Sequence, residues 1–290
     1  LFNTPILFLI FNRLETTKQV FQKIKSVKPA FLFIAADGPR ENKEGESEKV
    51  IAVRQWVLGN IDWPCTIHKL FREKNLGCGH AVSQAISWFF DNVEQGIILE
   101  DDIIVSDSFF TYCETLLNYY HDNPKIMHIA GHNPLTISPN GKASYYFSHN
   151  MHCWGWASWR RAWKNYDFNI TDTGAFCNTR AFKKSFRTIT SRNEWVCIFD
   201  MMESHKIDTW DHQWNYCIQK NEGYCINPCK NLITNIGFGP DATHTFGEVT
   251  EYQQRFEIEG IVHPNKLKFY EKYCKQINDV TLGLPKQTLR

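Results

Sequence analysis

A short apolar run that leads into three consecutive acids constrains this chain more than any other stretch. Residues 96–99 read GIIL, the acids Glu100, Asp101 and Asp102 follow, and residues 103–105 (IIV) resume the apolar run. A run this short and this rich in β-branched residues is typical of a buried central strand. Its end places the acids at an edge of the sheet, which is where ligands bind in open α/β folds. We therefore expect the three acids to lie in a ligand site.

Three adjacent carboxylates also indicate what such a ligand contains. They repel one another, and a hard divalent cation such as Mn²⁺ or Mg²⁺ neutralises a group of this kind through its oxygen atoms. A cation bound in this way commonly shares its coordination with the phosphates of a substrate. The acids therefore predict a metal and phosphate site. The alternative is a solvated acidic turn that follows a strand.

Predicted strands and helices alternate through the N-terminal half of the chain. In addition to the acidic strand, apolar runs predict strands at residues 5–11, 31–36 and 66–71. Apolar residues at helical spacing predict helices at residues 16–25, 48–58 and 81–90. This alternation predicts an α/β protein with a doubly wound, mostly parallel, Rossmann-like central sheet and right-handed crossovers.

Polar residues near the ends of these strands are expected to meet at one rim of the sheet. Arg13 follows the first strand, Asp37 follows the second, and His80 lies in a glycine-bearing turn before the third helix. Because the carboxyl ends of parallel strands lie at the same edge, these residues should converge with the acids. We therefore count Arg13, Asp37 and His80 among the candidate contacts of a bound ligand.

The most aromatic segment, residues 152–163, is a second candidate for ligand contact. It contains Trp154, Trp156, Trp159 and Trp163. Tryptophan is rarely buried completely, and its flat faces stack well on the apolar face of a sugar ring. Trp154 and Trp156 are therefore candidates for a wall that contacts a saccharide acceptor, with packing in the core as the alternative.

A glycine-rich segment later in the chain is a candidate lid. Residues 237–245 read GFGPDATHT and include His244. Glycines permit the large backbone changes of a segment that closes over a ligand. We expect this segment to close over the site, with His244 adding a metal ligand or a contact with a diphosphate.

The composition excludes several classes of protein. The 290 residues, of which 43% are apolar, suffice for a large core, and Lys+Arg 32 against Asp+Glu 31 leave no overall field that favours nucleic acid. No apolar run approaches the roughly 20 residues of a membrane span. The ten cysteines are scattered, so we expect reduced thiols. We expect a cytoplasmic protein, for which any attachment to a membrane surface comes from segments outside this chain.

Six features, in the same order along the chain, resemble the GT-A-fold glycosyltransferases, most closely the N-acetylglucosaminyltransferase I type and its bacterial relatives. They are FNR at residues 11–13, Asp37, LEDD at residues 99–102 with FF at residues 109–110, GW at residues 155–156, WD at residues 210–211 and the glycine-rich Thr-His segment. The resemblance extends from about residue 5 to residue 245.

The resemblance implies a GT-A fold with one domain in two parts. Residues 1–135 would form the nucleotide-sugar-binding half. Residues 136–275 would form the smaller, acceptor-binding and catalytic half of the same domain, and residues 276–290 would form a flexible tail.

The resemblance also implies roles for individual residues. The acids correspond to the Asp-X-Asp motif of the family, so Asp102 would hold Mn²⁺ (or Mg²⁺) against the diphosphate of a UDP-sugar. Glu100 and Asp101 would contact the nucleotide or the donor sugar. Arg13 and Asp37 match positions that contact the nucleotide.

The catalytic base is the point at which this sequence departs from the family. The base of the family is an aspartate in a Trp-Asp-Asp-Trp run, whereas residues 210–214 read WDHQW. Either Asp211 serves as the base or the neighbouring His212 takes part. We favour Asp211 and place His212 on the acceptor side. The resemblance further implies a single displacement with inversion.

The expected activity is that of a hexosyl- or N-acetylhexosaminyltransferase of polysaccharide biosynthesis, which moves a sugar from a UDP-sugar to a saccharide or another hydroxyl acceptor. One alternative is a sugar-1-phosphate nucleotidyltransferase, which needs a glycine-rich basic loop after the first strand. Residues 12–15 read NRLE and contain no glycine. The other alternative, a non-catalytic carbohydrate-binding module with Ca²⁺ on the acids, leaves Asp211 unexplained.

Overall fold

The structure is a computed structural model of the 290-residue chain, and it describes residues 1–135, 142–237, 254–267 and 275–277. The strands of these residues are, in chain order, β1 (Ile6–Ile10), β2 (Phe31–Ala36), β3 (Thr66–Phe71), β4 (Gln95–Glu100), β5 (Ile103–Val105), β6 (Ile126–Ala130), β7 (Tyr145–Ser148), β8 (Trp156–Trp159), β9 (Tyr224–Pro228) and β10 (Ile233–Asn235). The helices are α1 (Leu14–Val27), α2 (Glu46–Gly59), α3 (Cys78–Asn92), α4 (Ser108–Tyr119), α5 (Arg160–Trp163), α6 (Thr173–Cys177), α7 (Arg180–Ser185), α8 (Ile189–Glu203) and α9 (Asp211–Lys220).

One eight-stranded sheet organises the fold, with the strand order β3-β2-β1-β4-β8-β6-β9-β7. The pairs β1–β2, β2–β3, β1–β4 and β6–β9 are parallel. Strand β8 is antiparallel to both of its neighbours, and β7 is antiparallel to β9. Six of the eight strands therefore run in one direction. The predicted class, an α/β protein with a doubly wound and mostly parallel central sheet, is confirmed.

Strand β1 shows why this sheet is apolar on both faces. Ile6, Phe8 and Ile10 join one hydrophobic cluster, to which α1, α2 and α4 contribute. Leu7 and Leu9 join a second cluster, to which α3, α8 and α9 contribute. Successive side chains of a strand point to opposite faces, so a strand covered on both faces must be apolar throughout. This requirement explains the uninterrupted sequence ILFLI of β1.

The acidic run is divided between two sheets. Strand β4 ends at Glu100, Asp101 and Asp102 form a turn, and residues 103–105 form β5, which pairs antiparallel with β10 in a separate two-stranded sheet. Because Asp101 and Asp102 lie in this turn and not in a strand, their side chains can contact polar partners outside the sheet. The apolar run before the acids and the apolar run after them therefore belong to different layers.

The aromatic segment contributes a strand to the middle of the sheet. Strand β8 lies between β4 and β6, and Trp156, its first residue, is 0% exposed. Its ring stacks on that of Trp210, with 5.6 Å between the ring centroids and 21° between the planes. On the other side it stacks on the ring of His128, at 5.0 Å. Trp156 thus packs in the core, which was the alternative to a direct ligand contact.

The central sheet is continuous across the predicted division of the chain. Strands from before and after residue 135 lie in the same sheet, since β8 separates β4 from β6. The boundaries of the two halves stay a prediction. Of the predicted tail at residues 276–290, residues 276 and 277 are helical and Ile277 is buried, and residues 278–290 lie outside the described residues. Within the described ranges no helix has both the length and the apolar character needed to cross a bilayer. The nine cysteines of those ranges are free thiols.

Gly96, in β4, marks a position where backbone and side chains approach too closely for a larger residue. A Cβ atom there would lie 2.3 Å from Cζ of Phe89 and 2.8 Å from the carbonyl oxygen of Pro5. That carbonyl accepts a hydrogen bond from the N–H of Ile97 at 3.0 Å, so it cannot move without disturbing the β1–β4 pairing. We expect Gly96→Ala to lower the free energy of unfolding by about 1–3 kcal/mol.

Gly59→Ala is the matched control for this prediction. Gly59 is the last residue of α2, and no atom lies within 4 Å of a Cβ built there. Alanine at such a site is expected to change the free energy of unfolding by less than about 1 kcal/mol, in the stabilising direction. Urea unfolding of both variants and of the parent measures the difference. Equal stability of Gly96→Ala and the parent would contradict the packing at β4.

Candidate functional site

A cavity of about 320 Å³ lies at the edge of the sheet where β1, β2 and β4 end. Its lining includes six of the residues selected from the sequence, namely Arg13, Asp37, Glu100, Asp101, Asp102 and Trp154. The first five converge because parallel strands deliver the residues that follow them to one edge. The cavity is therefore the candidate binding site for a ligand of the acidic turn.

Arg13 joins the end of β1 to the acidic turn. Its guanidinium donates hydrogen bonds to Oδ1 of Asp101 and, at 3.0 Å, pairs with Oδ2 of Asp102. The backbone N–H of Phe11 donates to the other oxygen of Asp101 at 3.3 Å. Both aspartate side chains are buried, so these contacts are screened little by water. The acidic turn is thus held against the residues that follow β1.

The three acids carry more negative charge than Arg13 balances. Burial raises the pKa of Glu100 to about 8, and the carboxylates of Asp102 and Asp101 add to the effect. Burial also raises the pKa of Asp101, to about 6, although Arg13 opposes this shift. Among the described residues, Arg13 is the cation that forms ion pairs with these acids. The site therefore favours the addition of a further cation.

The acidic turn fits a hard divalent cation in its chemistry. Glu100, Asp101 and Asp102 offer carboxylate oxygens, which are the ligands that Mg²⁺ and Mn²⁺ prefer. Mg²⁺ is usually held by one or two carboxylates together with substrate phosphates. In the described part of the chain, no group of three or more His, Cys, Asp or Glu side chains is arranged to hold a metal on its own.

Asp37 also lines the cavity, and its carboxylate is hydrogen-bonded to the backbone. Its carboxylate accepts hydrogen bonds from the N–H groups of Gly38 and Leu76, both at 2.9 Å. Burial raises the pKa of Asp37, and these N–H groups and Arg72 reduce the shift. Asp37 therefore fixes the turn after β3 against the end of β2, beside the cavity that it lines.

His80 is the one rim candidate that the structure leaves outside the lining of the cavity. It is exposed, and its ring stacks on Phe168 with 4.0 Å between the centroids. Because His80 is in the first turn of α3, it faces a different direction from Gly77 and Cys78, which do line the cavity. Its role in ligand binding stays a prediction.

Asp211, the predicted base, is the first residue of α9. Its Oδ1 accepts hydrogen bonds from the hydroxyl of Thr209 and, at 2.8 Å, from the N–H of His212. Its Oδ2 lies 3.8 Å from Sγ of Cys153, which is a weak donor. Burial would raise the pKa of Asp211, but His212 and Thr209 outweigh it and lower the pKa below its ordinary value. Asp211 is therefore ionised near neutral pH.

Asp211 lies close to the cavity but is not part of its lining. Its charge raises the pKa of Glu100 and of Cys78, and both of those residues line the cavity. The neighbouring His212 has its Nδ1 3.7 Å from Oδ1 of Asp211, and its ring meets that of Trp195 edge-on at 5.7 Å. The structure thus places Asp211 within electrostatic reach of Glu100, and the role of His212 on the acceptor side stays a prediction.

Of the two tryptophans proposed as an acceptor wall, only Trp154 lines the cavity. It is partly exposed, and its ring centroid lies 4.8 Å from that of His132. Trp156 is fully buried, two residues further along, because it has entered β8. We keep Trp154 as a candidate contact and leave Trp156 out of the proposals below.

Gly237 is the only part of the predicted lid that the structure describes. A Cβ atom at Gly237 would lie 2.1 Å from Oδ2 of Asp102, so no other residue fits this approach to the acidic turn. The N–H of Gly237 donates to the side chain of Asn235 at 2.7 Å. The first residue of the predicted lid therefore lies directly beside Asp102. The rest of it, with His244, lies outside the described residues, and both predictions stay untested.

Several residues of the cavity were not selected from the sequence. They are Arg40, Arg72, Asn75, Cys78, Asp208 and Asn235. Two of them carried a usable signal, since Arg72 follows a predicted strand directly and Asp208 stands three residues before the predicted base. Arg40 and Asn75 lie in connecting segments, in which polar residues are common for reasons unrelated to ligand binding, and Cys78 and Asn235 lie at the ends of α3 and β10.

No family model matches the sequence, and no curated protein matches it. Similar solved structures include the mannosyltransferase PcManGT from Pyrobaculum calidifontis, in complex with GDP-Man and Mn²⁺, at 10% identity and TM-score 0.42, covering 76% of this chain and 69% of that one. HddC from Yersinia pseudotuberculosis is 8% identical at TM-score 0.33, with coverages of 56% and 80%. S. aureus TarS is 7% identical at TM-score 0.40, with coverages of 59% and 31%.

Similarity at this level concerns the fold alone. None of these three structures exceeds 10% identity or a TM-score of 0.42. The chain spans less than a third of TarS, so the two proteins differ over most of that length. What this chain does has to follow from the residues of its own site.

Proposed function

We propose that the chain is a metal-dependent glycosyltransferase with a GT-A type of fold. It transfers a sugar, with N-acetylglucosamine as the first candidate, from a UDP-sugar to a hydroxyl group of a saccharide acceptor, with inversion at the anomeric carbon. The observation that carries the proposal is the convergence of Arg13 and the acids of residues 100–102 in one cavity at the ends of parallel strands.

We assign the nucleotide half of the donor to the part of the cavity at the ends of β1 and β2 and beside α3. Its lining there includes the apolar residues Leu9, Ala35, Ala81 and Ala85. Small and flat apolar walls accept a planar base. Around them stand the groups that would bind ribose and phosphate oxygens, namely Arg13, Asp37, Arg72 and Asn75.

The diphosphate is assigned to the acidic turn through a divalent cation. Asp102 would hold the cation, with Glu100 or Asp101 as a second oxygen ligand. A cation bound there would act as a Lewis acid toward the phosphoryl oxygens of the leaving diphosphate. Arg13 would be released in part from its two aspartates by the added positive charge, and its guanidinium would then donate hydrogen bonds to the diphosphate.

Asp211 is assigned to the proton transfer. The acceptor hydroxyl oxygen forms a bond to the anomeric carbon as the bond from that carbon to the diphosphate oxygen breaks, and the hydroxyl proton passes to the carboxylate of Asp211. UDP leaves with the electron pair of the broken bond. Asp211 is ionised near neutral pH, so its carboxylate can accept this proton, and its Oδ2 lies 3.8 Å from the thiol of Cys153.

Release of UDP from a nucleotide sugar tests the proposal without knowledge of the acceptor. The protein is incubated with UDP-N-acetylglucosamine, UDP-glucose or GDP-mannose, with Mn²⁺ or with EDTA, and free nucleotide is measured. We expect slow, Mn²⁺-dependent release of UDP with water as the acceptor and a raised melting temperature with UDP and Mn²⁺.

The products also separate the two alternatives. A nucleotidyltransferase would release UTP when pyrophosphate is added, and a binding module would release no nucleotide. If no nucleotide sugar is cleaved and UDP with Mn²⁺ leaves the melting temperature unchanged, the proposal is wrong.

A further inference from the structure

Asp208 caps a helix that is distant from it in sequence. Its Oδ2 accepts a hydrogen bond from the N–H of Cys78 at 2.8 Å, and its Oδ1 accepts one from the N–H of Gly79 at 2.7 Å. These are the first N–H groups of α3, and the residue before them, Gly77, has no side chain with which to cap the helix. The carboxylate also lies where the helix dipole favours a negative charge. The cap of α3 is thus supplied from the other half of the chain.

Two glycines make room for this contact. A Cβ atom at Gly77 would lie 2.6 Å from Oδ2 of Asp208, and one at Gly79 would lie 2.8 Å from Oδ1. A Cβ atom at Gly79 would also lie 2.8 Å from the carbonyl oxygen of Thr209. The N-terminus of α3 therefore closely approaches two successive residues of the segment that precedes α9. This approach explains the glycines at Gly77, before α3, and at Gly79, in its first turn.

The segment held in this way leads directly to the predicted base. Thr209 donates its hydroxyl to Asp211, and the side chain of Gln213 donates to the carbonyl oxygen of Thr209 at 2.9 Å. Trp210 is buried, and its carbonyl oxygen accepts a hydrogen bond from the hydroxyl of Tyr166 at 3.2 Å. Residues 208–211 therefore form one short, well-bonded unit, and Asp208 is its attachment to the wall of the cavity.

The position of Asp208 indicates a role beyond the local capping of α3. Asp208 and Cys78 both line the cavity, and Cys78 lies within the electrostatic reach of Glu100, Asp208 and Asp211. The attachment therefore forms part of the wall of the cavity that the donor acids also line, at one end of the segment that carries the predicted base. A displacement of this segment relative to α3 would change the separation of Asp211 from Glu100.

We propose that Asp208 is a positioning residue, whose carboxylate fastens residues 208–211 to the N-terminus of α3 and so sets Asp211 at its working distance from the donor site. This inference rests on the proposed function. Misplacement of a reacting group by about 1 Å can cost about 100-fold in rate. Loss of the attachment should therefore lower turnover and leave nucleotide binding intact.

The first test follows UDP release from UDP-N-acetylglucosamine with Mn²⁺. We expect Asp208→Ala to lower kcat by about 10- to 100-fold with KM within threefold of the parent, and Asp208→Asn, which retains one acceptor oxygen, to recover part of the loss. In the Asp211→Asn background, Asp208→Ala should change kcat by less than twofold, because Asp208 acts through Asp211. A further large loss in the double variant would overturn the proposal.

The second test measures amide hydrogen exchange and does not depend on activity. In Asp208→Ala we expect faster exchange at Cys78, at Gly79 and across residues 209–213. The matched control is Asp167→Ala, an exposed aspartate of the same half whose carboxylate accepts a local hydrogen bond from the N–H of Asn169 at 3.0 Å. It should alter neither segment and neither kinetic constant.

The two tests distinguish failure of the inference from failure of the proposed function. If the parent protein releases no UDP, the proposed function fails, and hydrogen exchange still decides whether Asp208 fastens the segment. If exchange across residues 209–213 is the same in Asp208→Ala as in the parent, the fastening role is wrong, whatever the kinetics show.

Discussion

Asp102→Asn is expected to abolish the Mn²⁺-dependent binding of UDP and to leave the fold intact. Asp102 is buried in the turn after β4, and its Oδ2 contacts Arg13 at 3.0 Å. Asparagine removes the negative charge that both the cation and Arg13 require, and its amide is a far weaker ligand for a hard cation. Loss of a group that only supports a metal ligand costs about 10- to 100-fold in affinity. Loss of the ligand itself should cost at least that much.

Isothermal titration calorimetry with UDP, in the presence and in the absence of Mn²⁺, measures this effect. The matched control is Asp107→Asn, five residues further on, where the carboxylate is 75% exposed and pairs with Lys23 at 2.7 Å. The control should bind UDP like the parent. We expect Asp102→Asn to fold, because the backbone carbonyl at this position still accepts the hydrogen bond from the N–H of Ile236. Thermal unfolding checks this expectation. Unchanged affinity in the folded variant would remove Asp102 from the metal site.

Asp211→Asn is expected to separate chemistry from binding. A general base acts on the acceptor hydroxyl and contributes typically about 10²–10⁴-fold, so kcat should fall by that factor. The affinity for UDP and Mn²⁺ should stay near that of the parent, because Asp211 does not line the cavity. Steady-state UDP release, with calorimetry on the same preparation, gives both quantities.

The structural alternative for Asp211 predicts a different result. Its Oδ1 accepts the N–H of His212 and the hydroxyl of Thr209, so it also organises the first turn of α9. Asparagine can make both of these contacts and caps helices as well as aspartate does. If Asp211 served only this purpose, Asp211→Asn would be nearly fully active and Asp211→Ala would not.

His212→Ala completes the comparison. The ring of His212 lies beside Asp211 and against Trp195, and its electrostatic interaction with Asp211 is one of the causes that lower the pKa of Asp211. Its loss should therefore have a much milder effect on kcat than Asp211→Asn if Asp211 is the base. The reverse order of effects would transfer the role to His212.

The strands of the N-terminal half could be predicted because burial on both faces produces a local sequence pattern, an almost uninterrupted run of apolar residues. Strands β1, β2 and β4 are covered on both faces, and their sequences are nearly uninterrupted apolar runs. The rule that parallel strands deliver their ends to one edge then placed Arg13, Asp37 and the acids together, as the cavity has them. The same rule also predicted His80 at this edge, but His80 lies in α3 and stacks on Phe168. The direction of side chains along a helix changes from one residue to the next, so the rule for the ends of strands does not apply to it.

The sequence patterns of the second half of the chain predicted its structure less well. The aromatic segment suggested a surface for stacking, yet Trp156 lies in β8, an antiparallel strand between β4 and β6 that is covered on both faces. Nothing local distinguishes a tryptophan that packs on Trp210 from one that meets a sugar ring, since both need the same flat apolar surface. Which face a strand presents depends on its neighbours in the sheet.

The sequence by itself determined the class of fold, the apolar strands and the acidic turn at the end of β4, because each depends on the chemistry of a few consecutive residues. Only the tertiary structure decided that residues 103–105 pair with β10 and that Asp208 caps α3. The partners of Asp208 lie 129 and 130 positions away, and a contact at that separation leaves no periodicity in the sequence. It exists because the packing of the whole chain brings the two segments within hydrogen-bonding distance.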